Sequence, residues 1–155
     1  MELILWRHAE AEPAQPGQSD DARALTAKGR KQAARMGEWL DRQLPGNCRV
    51  LASPALRTVQ TAEALGRKFR TDAALASESS AERILDAVHW PNGREPVLVV
   101  GHQPLLGQVA ALVISGAKQD WIIRKGSICW IAQKPEDDLP ATYLRAVLGP
   151  DLAGK

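Results

Sequence analysis

Apolar residues along this chain gather in short unbroken runs separated by stretches in which they recur every three or four positions. The first run, Leu3-Ile4-Leu5-Trp6, is too short for a helix and has no polar alternation. It suits a strand covered on both faces. Val50-Leu51-Ala52 and Val97-Leu98-Val99-Val100 read the same way, the latter most clearly. Between them lie helical spacings. Thr26 caps a predicted helix carrying Ala33, Met36, Leu40 and Leu44, which Pro45-Gly46 ends. Leu56, Val59, Ala62, Leu65 and Phe69 predict a second helix, after a tight turn at Ser53-Pro54. Ala81, Ile84, Leu85 and Val88 predict a short third, and Leu105, Val109, Leu112 and Val113 a fourth. Residues 11 to 25, with Pro13, Pro16, Gly17 and Asp20-Asp21, lack periodicity and read as a polar loop. Residues 128 to 131 and 143 to 147 read as late strands, and the tail after Gly149 is expected to fray. Strands alternating with helices predict an α/β fold, a three-layer α/β/α sandwich with a largely parallel central sheet.

Composition narrows the class. The 155 residues are 45% hydrophobic, enough for one sizeable core, and predict a single domain over residues 1–155. The formal charge is +2, with basic residues dispersed along the chain, which favours neither nucleic acid nor a membrane as partner. Cys48 and Cys129 stand far apart, outside any zinc or redox spacing, and read as free thiols of a reducing compartment. No apolar run approaches the length of a membrane span, and the start lacks the pattern of a signal peptide. A soluble cytoplasmic protein is the expectation. No repeat and no glycine-rich phosphate loop follows the strands, so nucleotide chemistry is not favoured.

Ligands of open parallel sheets bind outside the carboxyl ends of the strands. Here three such ends deliver Arg7-His8, the segment from Ser53 to Arg57, and Gly101-His102. If they converge, two arginines and two histidines make a positive cluster suited to a tetrahedral dianion. Arginine offers a planar fork of donors for phosphate oxygens. Imidazole can be a neutral nucleophile near neutral pH. A phosphohistidine intermediate would split phosphoryl transfer to water into two displacements while the arginines neutralise the equatorial oxygens. Such chemistry asks for no metal and no cofactor. A lone histidine after a strand is more often structural, and a lone arginine more often a surface ion-pair partner; their joint placement is what carries weight. His89 has no such support and reads as structural or as a pocket-rim residue. A metal site from His8, His89 and His102 is disfavoured, because none stands in a paired ligand spacing. Trp6, Trp39 and Trp130 fall in apolar patterns and read as core, whereas Trp90 and Trp121 lie nearer loops and could form a partner-docking patch.

Four segments carry a family likeness: Arg7-His8-Ala9-Glu10-Ala11, Leu25-Thr26-Ala27-Lys28-Gly29-Arg30, Ser53-Pro54-Ala55-Leu56-Arg57-Thr58-Val59-Gln60-Thr61-Ala62 and Val99-Val100-Gly101-His102-Gln103-Pro104. With them, nearly the whole chain resembles the histidine phosphatase superfamily of phosphoglycerate mutase-like fold, and within it the small SixA-like phosphohistidine phosphatases. The resemblance implies His8 as phosphoryl acceptor, with Arg7, Arg57 and His102 completing the phosphate pocket. Ala9 departs from the glycine that many members have after the histidine. The general acid of larger members has no clean counterpart; Glu78 lies in the right broad region and is the candidate, with Glu10 and Glu63 nearer the motifs.

That gap bears on the substrate. An alcohol leaving from a phosphomonoester needs protonation more than does imidazole, whose conjugate acid has a pKa of about 6.5. The short chain also leaves little to roof a pocket over a small sugar phosphate. The expectation is therefore a metal-independent protein histidine phosphatase, acting on a histidine-phosphotransfer domain or a phosphocarrier, a partner class that the resemblance implies. A small-molecule phosphomonoesterase of the same fold is the alternative. A mutase, which must shield its phosphoenzyme from water, and a non-catalytic phosphate-binding module are less favoured.

Overall fold

Leu3 to Trp6, completely buried, form the middle of β1 (Glu2–Arg7), and their side chains alternate between two cores. Leu3 and Leu5 face one layer while Ile4 and Trp6 face the other. This is why the run shows no polar alternation: both faces are covered. The computed structural model describes residues 1–134 and 141–154. Its order of elements is β1, α1 (Ala27–Gln43), β2 (Arg49–Ala52), α2 (Leu56–Glu63), β3 (Arg70–Thr71), α3 (Ala81–Ala87), β4 (Val97–Gly101), α4 (Leu105–Ser115), β5 (Ile128–Lys134) and β6 (Ala141–Leu148). The six strands lie in one sheet in the order β3-β2-β4-β1-β5-β6. β3, β2, β4 and β1 are mutually parallel, and β5 runs antiparallel between β1 and β6.

Helices α1 and α2, with the turn after α2, cover one face, packing Met36, Leu40, Ala62 and Leu65 on Ile4, Trp6, Leu98 and Val100. On the other face α3 and α4 pack Ile84, Leu106 and Val109 on Leu3, Leu5, Val97 and Val99. The result is the expected α/β/α sandwich. Trp6 and Trp130 are buried, Trp130 edge-on to the half-buried Trp39. Helix α1 begins as its sequence suggests, with the Thr26 hydroxyl accepting a hydrogen bond from Gly29 N at 2.9 Å.

Three details differ from the expectation. The second helix ends at Glu63 instead of running to Phe69, because the chain turns through Gly66 at φ +78° and leads into β3. Beyond Gly149, residues 150–153 fold back onto the body of the domain. Ala153 is 6% exposed against the α1 layer, and Leu152 N donates to Gly149 O at 3.0 Å. Trp90 and Trp121 are half-buried against the core instead of forming a free patch, and Trp121 Nε1 donates to Gln119 Oε1 at 2.9 Å. Cys48 and Cys129 are free thiols. Among the described residues, no helix is long and apolar enough to cross a membrane.

Candidate active site

Strands β2, β4 and β1 are neighbours in parallel register, with Arg7 opposite Gly101 and Ala52 opposite Val100, so their carboxyl ends finish side by side. Backbone hydrogen bonds tie the segments beyond them. His8 N donates to Gly101 O at 3.1 Å, and Ser53 N to Val100 O at 3.0 Å. Arg57 sits in the first turn of α2, directly after the β2 turn. His8, Ser53, Arg57 and His102 are all buried polar side chains. The arginine and histidine pairs that the sequence marked thus meet at one place.

The hydrogen bonds assign the tautomers. His8 Nδ1 lies 2.7 Å from the carbonyl of Ala9. A carbonyl can only accept, so Nδ1 carries the hydrogen and Nε2 keeps the lone pair of a neutral ring. Burial pushes the pKa of His8 down to about 3, against the bond to Ala9, with His102, Arg57 and Arg7 adding to the depression. His102 Nδ1 lies 3.3 Å from Arg57 Nη2, a donor, which puts the hydrogen on Nε2 and directs it to Ser53 Oγ at 2.8 Å. Burial and then Arg57 lower the pKa of His102 to about 4. The two rings stand 5.5 Å apart, inclined at 62°. Ala9 N donates to Thr61 Oγ1 at 3.1 Å, and the Ala9 methyl packs with Leu25 and Ala33, so the β-carbon beside His8 has a place of its own.

Each arginine is anchored at one end and unpaired at another. Arg7 Nη1 donates to Ile123 O at 3.0 Å. Arg57 Nη1 donates to Asp20 O at 2.8 Å, and its Nη2 to Asp20 Oδ2 at 2.9 Å. The Nε of Arg7 and the Nε of Arg57 are buried donors without a hydrogen-bond partner in the protein. Leaving such donors unsatisfied costs about 1–3 kcal/mol each, a cost that an oxyanion offsets.

Asp20 is the residue that the sequence did not single out. It lies in a 3-10 turn of the polar loop (Asp20–Ala22) and is 60% exposed at its side chain, yet it grips the buried Arg57 and also accepts from Arg23 Nε at 2.9 Å. Against a desolvation cost that pushes it upward, the two arginines hold its carboxyl below the usual range. Ser53, which orients His102, and Thr61, which holds Ala9, lay within the quoted motif without a role. Glu78 is exposed, its Oε2 accepting from Ser77 Oγ at 3.2 Å, and its charge, like that of Asp20, raises His102. His89 is exposed at φ +60° in the turn after α3, outside the cluster. Among the described residues, no three His, Cys, Asp or Glu side chains are grouped to hold a metal ion.

The sequence pattern of the histidine phosphatase superfamily (branch 1) matches residues 3–79. A phosphohistidine phosphatase SixA homolog of Haemophilus influenzae is 32% identical, the match covering 72% of this chain and 76% of that protein. Phosphohistidine phosphatase SixA of Escherichia coli is also 32% identical, over 75% and 76% of the two chains. The chain belongs to the histidine phosphatase superfamily. It is a hydrolase of that superfamily. Its fold is shared by the protein histidine phosphatase SixA solved with tungstate, with a TM-score of 0.80, 24% identity and coverage of 97% and 98% of the two chains. In this histidine phosphatase Arg7, His8 and Arg57 all lie inside the matched pattern, at the end of β1 and the start of α2, while His102 follows β4 beyond it.

Proposed function

We propose that this histidine phosphatase hydrolyses phosphohistidine on proteins through a covalent phosphohistidine on His8. The observation that carries the reading is the state of His8: buried, neutral, its Nδ1 hydrogen tied to Ala9 O, its Nε2 lone pair set among two arginines and a second histidine. In the first displacement Nε2 attacks phosphorus. The N–P bond to His8 forms as the N–P bond of the substrate breaks, and the substrate imidazole leaves with a proton. In the second, water attacks phosphorus, the His8 bond breaks, one proton of water is released and phosphate departs. Arg7 and Arg57 balance the charge on the equatorial oxygens, and His102, held by Ser53, donates no charge of its own while its ring is neutral. No metal or cofactor takes part, since the two guanidinium groups supply the positive charge.

A P–N substrate agrees with the carboxylates at hand. Glu78 and Asp20, the two whose charge raises His102, are both exposed, and arginines hold the Asp20 carboxyl below the usual range, unlike an acid stored protonated in an apolar site. Glu78 is the group we assign to pass a proton from water to the leaving imidazole, a role of modest weight because that leaving group is weakly basic. The partner is a histidine-phosphotransfer domain or a phosphocarrier, and the free thiols of Cys48 and Cys129 agree with a cytoplasmic setting.

The test is kinetic. Wild-type protein should release phosphate from a phosphohistidine protein and accumulate an acid-labile, alkali-stable phosphoenzyme. His8→Ala should abolish both, and Arg57→Ala should lower kcat about 100- to 1,000-fold, as loss of a transition-state donor does. Turnover retained by His8→Ala refutes the nucleophile. Rapid hydrolysis of small phosphate esters, with phosphohistidine protein left intact, moves the assignment to a phosphomonoesterase.

A further inference from the structure

A cleft of about 920 Å³ opens beside the catalytic cluster, between α1, residues 122–128 and the C-terminal turn at 147–152. Arg7 belongs to both: its guanidinium reaches Ile123 O on the cleft wall, and its backbone leads into His8. The wall carries six cations, Arg7, Lys28, Lys31, Arg35, Arg124 and Lys125, against two anions, Glu10 and Asp151. The whole chain has a formal charge of only +2, so this is a local concentration. Lys28, Lys31 and Arg35 follow an i, i+3, i+7 spacing that sets them on one stripe of α1, beside the stripe of Ala33, Met36 and Leu40 that faces the core. Among the described residues, none of the six cations enters an ion pair. The same cleft is lined by Ile122, Val147 and Leu152, which are 83%, 66% and 73% exposed and are the most exposed large apolar side chains described. Catalysis by the cluster uses none of these except Arg7.

We infer that this cleft docks the substrate protein, accepting an acidic segment that carries an apolar side chain next to its phosphohistidine. The inference rests on the proposed phosphohistidine activity and specifies the partner's surface. Unpaired cations steer a negative partner and discriminate against a positive one. Exposed apolar side chains among those cations add a short-range anchor that a free anion such as inorganic phosphate would not use. Continuity through Arg7 places the docked segment beside His8, so the charge that selects the partner also presents its phosphoryl group.

Three substrates separate the alternatives: a phosphohistidine peptide flanked by Glu, Asp and Leu, the same peptide with Lys flanks, and phosphoramidate as the small P–N control. Wild-type enzyme should show a kcat/KM at least about tenfold higher on the acidic peptide, with the preference shrinking as salt rises. Lys28→Glu/Lys31→Glu/Arg35→Glu should erase or invert the preference while phosphoramidate turnover stays within about twofold of wild type. Ile122→Ser should lower kcat/KM on the acidic peptide severalfold and leave phosphoramidate alone. Equal use of both peptides by wild type, or a preference that survives the triple variant, overturns the docking inference with the phosphatase reading intact. An oligodeoxynucleotide that binds wild type more tightly than the acidic peptide also overturns it, by assigning the cleft to nucleic acid. If neither peptide nor phosphoramidate is hydrolysed while p-nitrophenyl phosphate is, the phosphohistidine reading has failed and the docking inference falls with it.

Discussion

Arg57 already holds a carboxylate and a carbonyl, both from Asp20, at 2.9 and 2.8 Å. If a phosphoryl group binds Arg57 as proposed, it competes for the same Nη2 donor, and Asp20 must then yield or swing aside with its loop. Its side chain is 60% exposed, which limits what the ion pair is worth to about 0.2–1 kcal/mol. Asp20→Ala should therefore tighten inhibition by inorganic phosphate, by up to about fivefold; weaker inhibition would show that Asp20 positions Arg57 instead of competing for it. The two histidines make a separate demand. Burial holds His8 at about 3 and His102 at about 4, whereas each titrates near its ordinary value of about 6.5 when the chain is unfolded. A pKa lowered by folding means that the unfolded chain binds protons first as pH falls. The stability that these neutral rings allow is complete above about pH 6.5 and is lost progressively as pH falls from there towards their folded values. The slope is at most about 1.4 kcal/mol per pH unit for each histidine. Urea unfolding between about pH 7 and 4.5 should show this decline, and His102→Asn should make it shallower. An equal slope in His102→Asn and wild type would contradict the assignment.

At the scale of elements, what the sequence made legible was whatever a period or a buried run can encode. β1 and β4 stand out because both of their faces are covered, and three strand ends carry Arg7-His8, Arg57 and His102 because parallel topology puts all three at one edge. What escaped depends on contacts between distant residues. Asp20 meets Arg57 across 37 positions of chain, and nothing in its polar surroundings marks it. β3 is two exposed residues, and Phe69 just before it satisfies a helical spacing although Gly66 has already ended the helix. The C-terminal turn looks like a frayed tail until Ala153 is seen against the α1 layer. Two helix glycines show the same limit from the other side. A β-carbon on Gly29 would collide with the carbonyl of Glu10, and one on Gly107 with the carbonyl of Trp121. These close approaches set α1 against the segment after His8 and α4 against the segment that receives Arg7. In the sequence nothing about a helical glycine says which distant carbonyl it must meet.

The whole molecule is one sheet with two cores, joined strand by strand because neighbouring residues of β1, β4 and β5 point to opposite sides. Leu5 and Trp6 are consecutive, yet one packs under α4 and the other under α1. Neither core can open without uncovering one face of the same strands, so we propose that the chain unfolds as a single domain. Leu40 in α1 and Leu106 in α4 are both fully buried, one in each core. Each truncation to alanine should cost about 2–5 kcal/mol. The informative measurement is the shape of the transition. With tryptophan fluorescence, dominated on the α1 side by Trp6, Trp39 and Trp130, and with far-ultraviolet circular dichroism, Leu40→Ala and Leu106→Ala should each shift one coincident transition to lower denaturant with little change in its steepness. If Leu106→Ala instead separates the two probes, the α3 and α4 layer unfolds by itself. Because Arg7 is held by Ile123 in that layer while Arg57 belongs to the other, such a separation would also loosen the phosphate site before the fold is lost, and activity should then disappear ahead of the fluorescence change.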